Sequence, residues 1–145
     1  MSDKQMISGG CACRAIRYSI VGESILALNC HCRDCQSASG SAFGSFVIVS
    51  KPNLELTGEP KYYAKTSDAG NAIKRGFCSN CGSPVTILEP DRPNIIFVHA
   101  GSFDDPGNHR PAMDIFIERA HPWDRLDPST EKFPGMPPLP DDFGR

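Results

Sequence analysis

Residues 76–85 read GFCSNCGSPV and contain the pair Cys78 and Cys81, followed directly by Gly82. Two thiolates three positions apart can hold one metal ion across a tight turn, and a glycine after the second thiolate lets the chain leave with a positive φ. The pattern is typical of a zinc knuckle. Because a structural zinc ion needs four ligands and a knuckle supplies two, we expect a second pair elsewhere in the chain.

The second pair is Cys11 and Cys13, in the sequence GGCAC of residues 9–13. Two pairs from distant segments complete a tetrahedral Cys₄ site, which predicts a zinc ion that joins the early and late strands of the fold. A structural zinc affinity of about 10–16 kcal/mol is comparable with the stability of a whole domain. The alternative is an iron site of rubredoxin type, but such a site usually has two CxxC knuckles, and here one pair is CxC.

The middle group of cysteines lies in residues 28–40, LNCHCRDCQSASG, and consists of Cys30, Cys32 and Cys35. Once the outer four cysteines are matched to each other, this group has no fourth cysteine. Three protein ligands and an open position are the arrangement of a catalytic zinc ion. We therefore predict a second zinc ion here, with its fourth position open to an outside ligand.

The alternative for the middle group is a site that the protein closes itself. His31 is an awkward ligand because a cysteine flanks it on each side, so we expect it beside the site or on the surface. The remaining candidates for a fourth ligand are an aspartate or one of three more distant histidines, namely His99, His109 and His121.

Three thiolates on a divalent ion leave the centre with a net charge of about −1, which makes it a weak Lewis acid suited to a soft ligand such as another thiolate. The predicted outside ligand is therefore a small thiol. Its thiolate would bring the net charge to about −2, so a nearby cation should help. Arg33, between Cys32 and Asp34, is the local candidate for that cation, and the alternative is an ordinary solvated arginine at the surface.

Composition and charge exclude several other functions. The chain has 145 residues, long enough for a single domain over residues 1–145. Its formal net charge is −2 and it has no basic run, so we do not expect it to bind nucleic acid. No segment approaches the roughly 20 apolar residues needed to cross a bilayer, so we expect no membrane association.

The first residues of the sequence and its seven cysteines both bear on the cellular compartment of the protein. The first ten residues, MSDKQMISGG, lack the apolar stretch of a secretory signal, so we expect a soluble, cytoplasmic protein. In a reducing compartment, clustered thiols are more often metal ligands than disulfides, and cysteines this close in sequence are poorly placed to bridge one another.

Short apolar stretches with an alternating pattern predict strands. In residues 15–20, AIRYSI, the side chains of Ile16, Tyr18 and Ile20 fall on one face. Short strands separated by glycine and proline turns indicate an all-β protein with antiparallel sheets in a sandwich or barrel-like arrangement. The other predicted strands are Ser24–Leu28, Phe43–Val49, Leu54–Thr57, Lys61–Lys65, Ala72–Phe77, Val85–Leu88, Ile95–His99 and Asp114–Ile117.

Two segments are not predicted to be strands. A short helical turn is expected directly after Cys32. From about residue 133 the chain reads FPGMPPLP, and this proline-rich tail is expected to be extended, lying along the surface or fraying.

The motifs together resemble the glutathione-dependent formaldehyde-activating enzyme family, also called the GFA or centromere protein V-like family. The resemblance covers roughly residues 8 to 127. The motifs that carry it are GGCACRAIRYSI (9–20), NCHCRDCQSASGSAF (29–43), GFCSNCGSPV (76–85), HAGSFDDP (99–106) and HPWDRLD (121–127).

The resemblance implies an Mss4-like all-β fold and two zinc ions per chain. It assigns a structural zinc to the positions of Cys11, Cys13, Cys78 and Cys81, and a catalytic zinc to those of Cys30, Cys32 and Cys35.

The implied activity is that of a carbon–sulfur lyase, an S-(hydroxymethyl)glutathione synthase that joins glutathione to formaldehyde or a related small aldehyde. Trp123 resembles a late aromatic residue that lies near the pocket in the family, although burial in the core is the simpler interpretation of this side chain. The alternative function is a non-catalytic zinc module that binds thiols or other proteins, as the centromere-associated relatives suggest.

Overall fold

The computed structural model describes residues 6–145, which form eleven strands and one α-helix. The prediction of an all-β protein is confirmed. The helix is α1 (Arg33–Ser39). The strands are β1 (Met6–Gly10), β2 (Arg17–Val21), β3 (Leu26–Cys30), β4 (Gly44–Ser50), β5 (Leu54–Thr57), β6 (Lys61–Thr66), β7 (Ala72–Phe77), β8 (Pro84–Leu88), β9 (Ile95–His99), β10 (Met113–Ile115) and β11 (Glu131–Lys132).

The strands form two sheets. A three-stranded antiparallel sheet has the order β1-β2-β5, and an eight-stranded sheet has the order β11-β10-β3-β4-β9-β8-β7-β6. The larger sheet is antiparallel except at β10, which pairs in parallel with both β3 and β11. The sequence predicted antiparallel sheets, whereas the larger sheet is mixed because of the parallel pairing of β10.

The nine predicted strands correspond to β2 through β10, and the bounds of β5, β7 and β9 match the predicted bounds. The alternating pattern of apolar residues made these strands predictable, because every second side chain of a half-buried strand faces the core. The sequence did not predict β1 or β11. Strand β1 ends in Gly9 and Gly10, which have low strand propensity, and β11 has only two residues.

Strand β4 lies between two hydrophobic cores, because its alternate side chains face opposite sides of the larger sheet. Val47 and Val49 belong to the core shared with the three-stranded sheet, which also contains Cys11 and Cys78. Phe46 belongs to the second core, on the other face. Burial on both faces explains why β4 reads as a nearly continuous apolar run.

The C-terminal segment lies against the rest of the chain. The amide of Phe133 donates to the carbonyl of Asp114 at 2.9 Å, and the amide of Asn94 donates to the carbonyl of Gly144 at 3.0 Å. Phe133 and Phe143 both pack against the second core. Between residues 6 and 145, no helix is long and apolar enough to span a membrane.

Candidate metal centres

The four outer cysteines converge from two turns. Cys11 and Cys13 lie between β1 and β2, whereas Cys78 and Cys81 lie between β7 and β8, and their sulfur atoms all lie within 4.8 Å of one another. The Sγ atoms of Cys11 and Cys13 are 3.6 Å apart, and those of Cys13 and Cys78 are 3.7 Å apart. A tetrahedron of sulfurs at about 2.3 Å from zinc has edges of about 3.8 Å, so the four residues fit that ion.

Each turn reverses at a residue in the left-handed region. Gly82 has φ 80° and donates its amide to the carbonyl of Cys78 at 2.8 Å, which confirms the positive φ expected from the knuckle. Arg14 has φ 68° and donates its amide to the carbonyl of Cys11 at 3.1 Å. A non-glycine residue rarely adopts this conformation, so Arg14 is a strained position that the first turn requires.

Ser83 connects the two turns, and sequence reasoning missed it. Its hydroxyl accepts a hydrogen bond from the amide of Ala12 at 3.0 Å, and its carbonyl accepts one from the amide of Cys78 at 3.0 Å. Hydrogen bonds from the Ser83 hydroxyl and amide lower the pKa of Cys81 to about 5. Because a metal ion binds the thiolate, this environment favours the ligand form of Cys81.

The three middle cysteines form a second, fully buried group. Cys30 ends β3, Cys32 caps α1 and Cys35 lies within α1; their sulfurs also lie within 4.8 Å of one another. The amide of Cys35 donates to the sulfur of Cys32 at 3.3 Å, so the helix start fixes this spacing. In the part of the chain that the structure describes, no histidine nitrogen or carboxylate oxygen belongs to the group.

The three histidines considered as a fourth ligand are engaged elsewhere. The ring of His99 packs against that of Phe46 at 4.6 Å. His109 shares a hydrogen bond of 2.7 Å with the hydroxyl of Ser45, and His121 shares one of 2.8 Å with the amide oxygen of Gln36.

The pKa values of the middle group show the effect of crowding three thiols. Hydrogen bonds from Cys30 and then Cys35 lower the pKa of Cys32 to about 2, whereas the hydrogen bond with Cys32 raises the pKa of Cys30 well above its usual range. Without a cation, therefore, the three thiols hinder one another's ionisation. A divalent ion would allow all three sulfurs to ionise, so the donor set suits a thiophilic metal.

A cavity of about 80 Å³ opens onto the three middle cysteines. Most of its wall is apolar and belongs to the second core, including Phe46, Ile73, Ile87 and Phe97. Arg75 from β7 also lines the cavity, and its Nη2 lies 3.7 Å from the sulfur of Cys35. Sequence reasoning missed Arg75.

His31 is buried and occupies the position beside the site that the sequence allowed. Its Nε2 hydrogen-bonds to Oδ1 of Asp114 at 2.7 Å, and its Nδ1 lies 3.0 Å from Oδ2 of Asp124. Asp114 also accepts hydrogen bonds from Asn29, at 3.2 Å, and Thr130. The side chain of His31 is thus held by the C-terminal part of the chain, and its anchoring orders the backbone that carries Cys30 and Cys32.

Gln36 also anchors the backbone between Cys30 and Cys32. Its amide nitrogen donates to the carbonyls of His31, at 2.7 Å, and Arg119, at 3.0 Å. Its amide oxygen accepts from the guanidinium of Arg33, a residue whose side chain is exposed. Arg33 is therefore directed along the surface of α1 and does not line the cavity.

Trp123 is 68% exposed, so its interpretation as a core residue is wrong. Its ring stacks on that of His121, with centroids 5.4 Å apart and planes within 8°. Through His121 and Gln36, Trp123 and Arg33 belong to one contiguous surface beside α1. Trp123 does not line the cavity.

Two sheets joined at four sulfurs, together with three further sulfurs at a cavity, define a cysteine-rich all-β protein with two candidate metal centres. The sequence model of the family described as "Glutathione-dependent formaldehyde-activating enzyme" matches residues 6–119, which is most of the chain. The chain therefore belongs to that family.

Two individual proteins are similar to this chain. A Halomonas elongata protein named "Putative glutathione-dependent formaldehyde-activating enzyme" is 23% identical over 140 residues, which cover 91% of this chain and 89% of that protein. A crystal structure of a Rhodobacter sphaeroides protein aligns with a TM-score of 0.51 at 18% identity, covering 67% of this chain and 87% of that one. At this identity the structural match supports the fold alone.

The division of the cysteines predicts different consequences for their loss. Replacing Cys78 with serine should unfold the protein, because the outer site joins the two sheets. Replacing Cys32 with serine should leave a folded protein whose outer site still binds metal. Elemental analysis and thermal melts followed by circular dichroism measure both results. Equal losses of melting temperature in the two variants would contradict the division.

The network around His31 predicts a large effect of Asp114→Asn. This change removes the buried carboxylate that hydrogen-bonds with His31, Asn29 and Thr130, so the free energy of unfolding should fall by about 3–5 kcal/mol, as for other broken buried pairs. Asp104→Asn is the matched control, because Asp104 pairs with Arg17 at the surface and should contribute little. Urea unfolding measures the free energy of unfolding of both variants. Similar losses of free energy in the two variants would contradict a stabilising role for the network around His31.

Proposed function

We propose that the protein is a zinc-dependent carbon–sulfur lyase that joins glutathione to formaldehyde to give S-(hydroxymethyl)glutathione. The observation that carries this proposal is the group of three buried sulfurs at the end of a small cavity, in a chain of this family. The name of the Halomonas elongata relative agrees with this assignment.

The proposal includes two zinc ions per chain. Cys11, Cys13, Cys78 and Cys81 would hold the structural ion, and the middle cysteines would hold the catalytic one. In the catalytic position, zinc supplies a site that binds the sulfur of the substrate as a thiolate at neutral pH. Reduced cysteines are a condition for both sites, which is why we place the protein in the cytoplasm.

The reaction forms one carbon–sulfur bond. The glutathione sulfur attacks the carbonyl carbon, the π electrons of the carbonyl move to its oxygen, and that oxygen then takes a proton from solvent. The chain contributes chiefly by holding the two reactants in contact, because the uncatalysed addition is facile and proximity is the remaining gain. The apolar wall formed by Phe46, Ile73 and Ile87 limits the water around the reacting atoms.

The size of the cavity limits what can enter it. At about 80 Å³ it is smaller than the roughly 300–1,000 Å³ pockets that enclose drug-sized ligands. It has room for the thiol end of glutathione and a small aldehyde, whereas the rest of the tripeptide would lie outside. Arg33 and Trp123, on the surface beside α1, are our candidates for contacting that outer part.

A test of the proposal is the absorption spectrum of cobalt-substituted protein. Glutathione should change the sulfur-to-cobalt charge-transfer bands, because a fourth sulfur joins the three protein sulfurs. S-methylglutathione is the matched control, since its thioether keeps the peptide but supplies no thiolate. It should have much less effect.

The same titration distinguishes the enzyme from a closed metal site. Replacing Cys30, Cys32 or Cys35 with serine should abolish the response to glutathione, whereas the bands of the outer site should remain. A spectrum that millimolar glutathione leaves unchanged would contradict an open position. That result would favour the non-catalytic binding module over the enzyme.

A further inference from the structure

Arg75 is the one basic residue that lines the cavity among residues 6–145. It lies on β7 two residues from Ile73, which lines the same cavity, and its cross-strand partner on β8 is the buried Ile87. An arginine on this face is unexpected, because its neighbours are apolar and Arg75 is half-buried, so its guanidinium loses part of its hydration.

The guanidinium of Arg75 is incompletely satisfied. Its Nη2 has a long contact with the sulfur of Cys35, at 3.7 Å. Its Nη1 is buried and has no hydrogen-bond partner in the part of the chain that the structure describes. Within the same residues, no carboxylate lies within ion-pairing distance of Arg75. Buried donors are rarely left unpaired, so an unpartnered Nη1 on a residue that lines the cavity indicates a ligand.

The acidic residues of the cavity do not serve as that partner. Asp34 pairs with Lys65, and Glu89 pairs with Arg92 at 3.1 Å. Asp68, at the β6–β7 turn, accepts the backbone amide of Arg33 at 3.0 Å. Beyond its contact with the sulfur of Cys35, the positive charge of Arg75 is therefore available to a molecule that enters the cavity.

His99 does not duplicate this charge. Burial, and then the positive charge of Arg75, lower the pKa of His99 to about 4. His99 is consequently neutral at physiological pH, and Arg75 remains the cation on this side of the cavity.

We propose that Arg75 is the anion-binding residue of the middle centre and that its Nη1 donates to the substrate oxygen that becomes negative as the thiolate adds to the aldehyde. This inference rests on the proposed function for the identity of the anion. Arginine suits the role because it stays charged and presents two parallel donors, one toward the cysteine sulfurs and one toward the substrate. A donor aimed at developing charge in an apolar cavity strengthens the transition state more than the ground state.

Arg75 stabilises charge and gives up no proton, because guanidinium does not ionise at accessible pH. The thiolate also adds one negative charge to the three cysteine sulfurs and their metal, and Arg75 is placed to offset it. The sequence assigned this task to Arg33, whose guanidinium instead contacts Gln36 outside the cavity.

The test compares the parent protein with the variants Arg75→Gln and Arg75→Lys. Each protein is full-length and is prepared in a cobalt-substituted and a zinc-loaded form. Lys74→Gln is the matched control, because Lys74 is the adjacent, exposed residue of β7. The measurements are the affinity for azide, as a thiol-free anion, the affinity for glutathione, kcat for adduct formation and the melting temperature.

Arg75→Gln should weaken azide and glutathione binding at least tenfold and lower kcat by about 10²–10³, the range for loss of one such donor. Arg75→Lys should recover part of the affinity, and Lys74→Gln should stay within about twofold of the parent in every measurement. The melting temperature of Arg75→Gln should hold or rise, since Arg75 is half-buried and its Nη1 has no hydrogen-bond partner among the described residues. A purely structural arginine would lower it.

Wild-type affinities in Arg75→Gln would overturn the inference. A parent protein that binds azide through Arg75 but does not bind glutathione would keep Arg75 as the anion-binding residue and reject the proposed function, together with the identity of the anion. A parent protein that binds neither anion would overturn both.

Discussion

The fold depends on four sulfur atoms that meet between two sheets. Cys11 and Cys13 belong to the hairpin of the three-stranded sheet, and Cys78 and Cys81 belong to a hairpin of the eight-stranded sheet. If all four ionise, thiolates this close repel one another, and a shared cation would remove that repulsion and hold the two sheets together. The core beneath them contains Cys11 and Cys78 themselves, which couples metal binding to the burial of Val47 and Val49.

The second group of cysteines uses the opposite face of the same large sheet. Here three sulfurs line a cavity, and the cavity takes the place of a fourth ligand. Hydrogen bonds of His31 and Gln36 anchor the backbone that carries these cysteines. The outer group has four sulfurs and joins elements that are distant in the sequence. The middle group has three sulfurs, comes from one short segment and lines a cavity. This difference is the physical basis for proposing a structural role for the outer group and a reactive role for the middle group.

Features with a short sequence range were predictable. The CxxCG spacing predicted the turn at Gly82, and alternation at Ile16, Tyr18 and Ile20 predicted β2. Arg75 was not predictable, because it lies forty positions from Cys35 and only the pairing of β7 with β8 brings it to the cavity. Arg33, although adjacent to Cys32, starts a helix whose geometry directs its guanidinium toward Gln36. Proximity along the chain therefore identified the two groups of cysteines but not the cation that lies beside the middle group.

The most direct test of the two-centre account is X-ray absorption at the zinc edge of protein loaded with two ions. One site with four sulfurs and one with three should average about 3.5 sulfurs per zinc, at about 2.3 Å, with the balance from a lighter ligand. Adding glutathione should raise the average to about 4 as the open position fills. An average that does not change, with nitrogen or oxygen from the protein retained, would contradict the account.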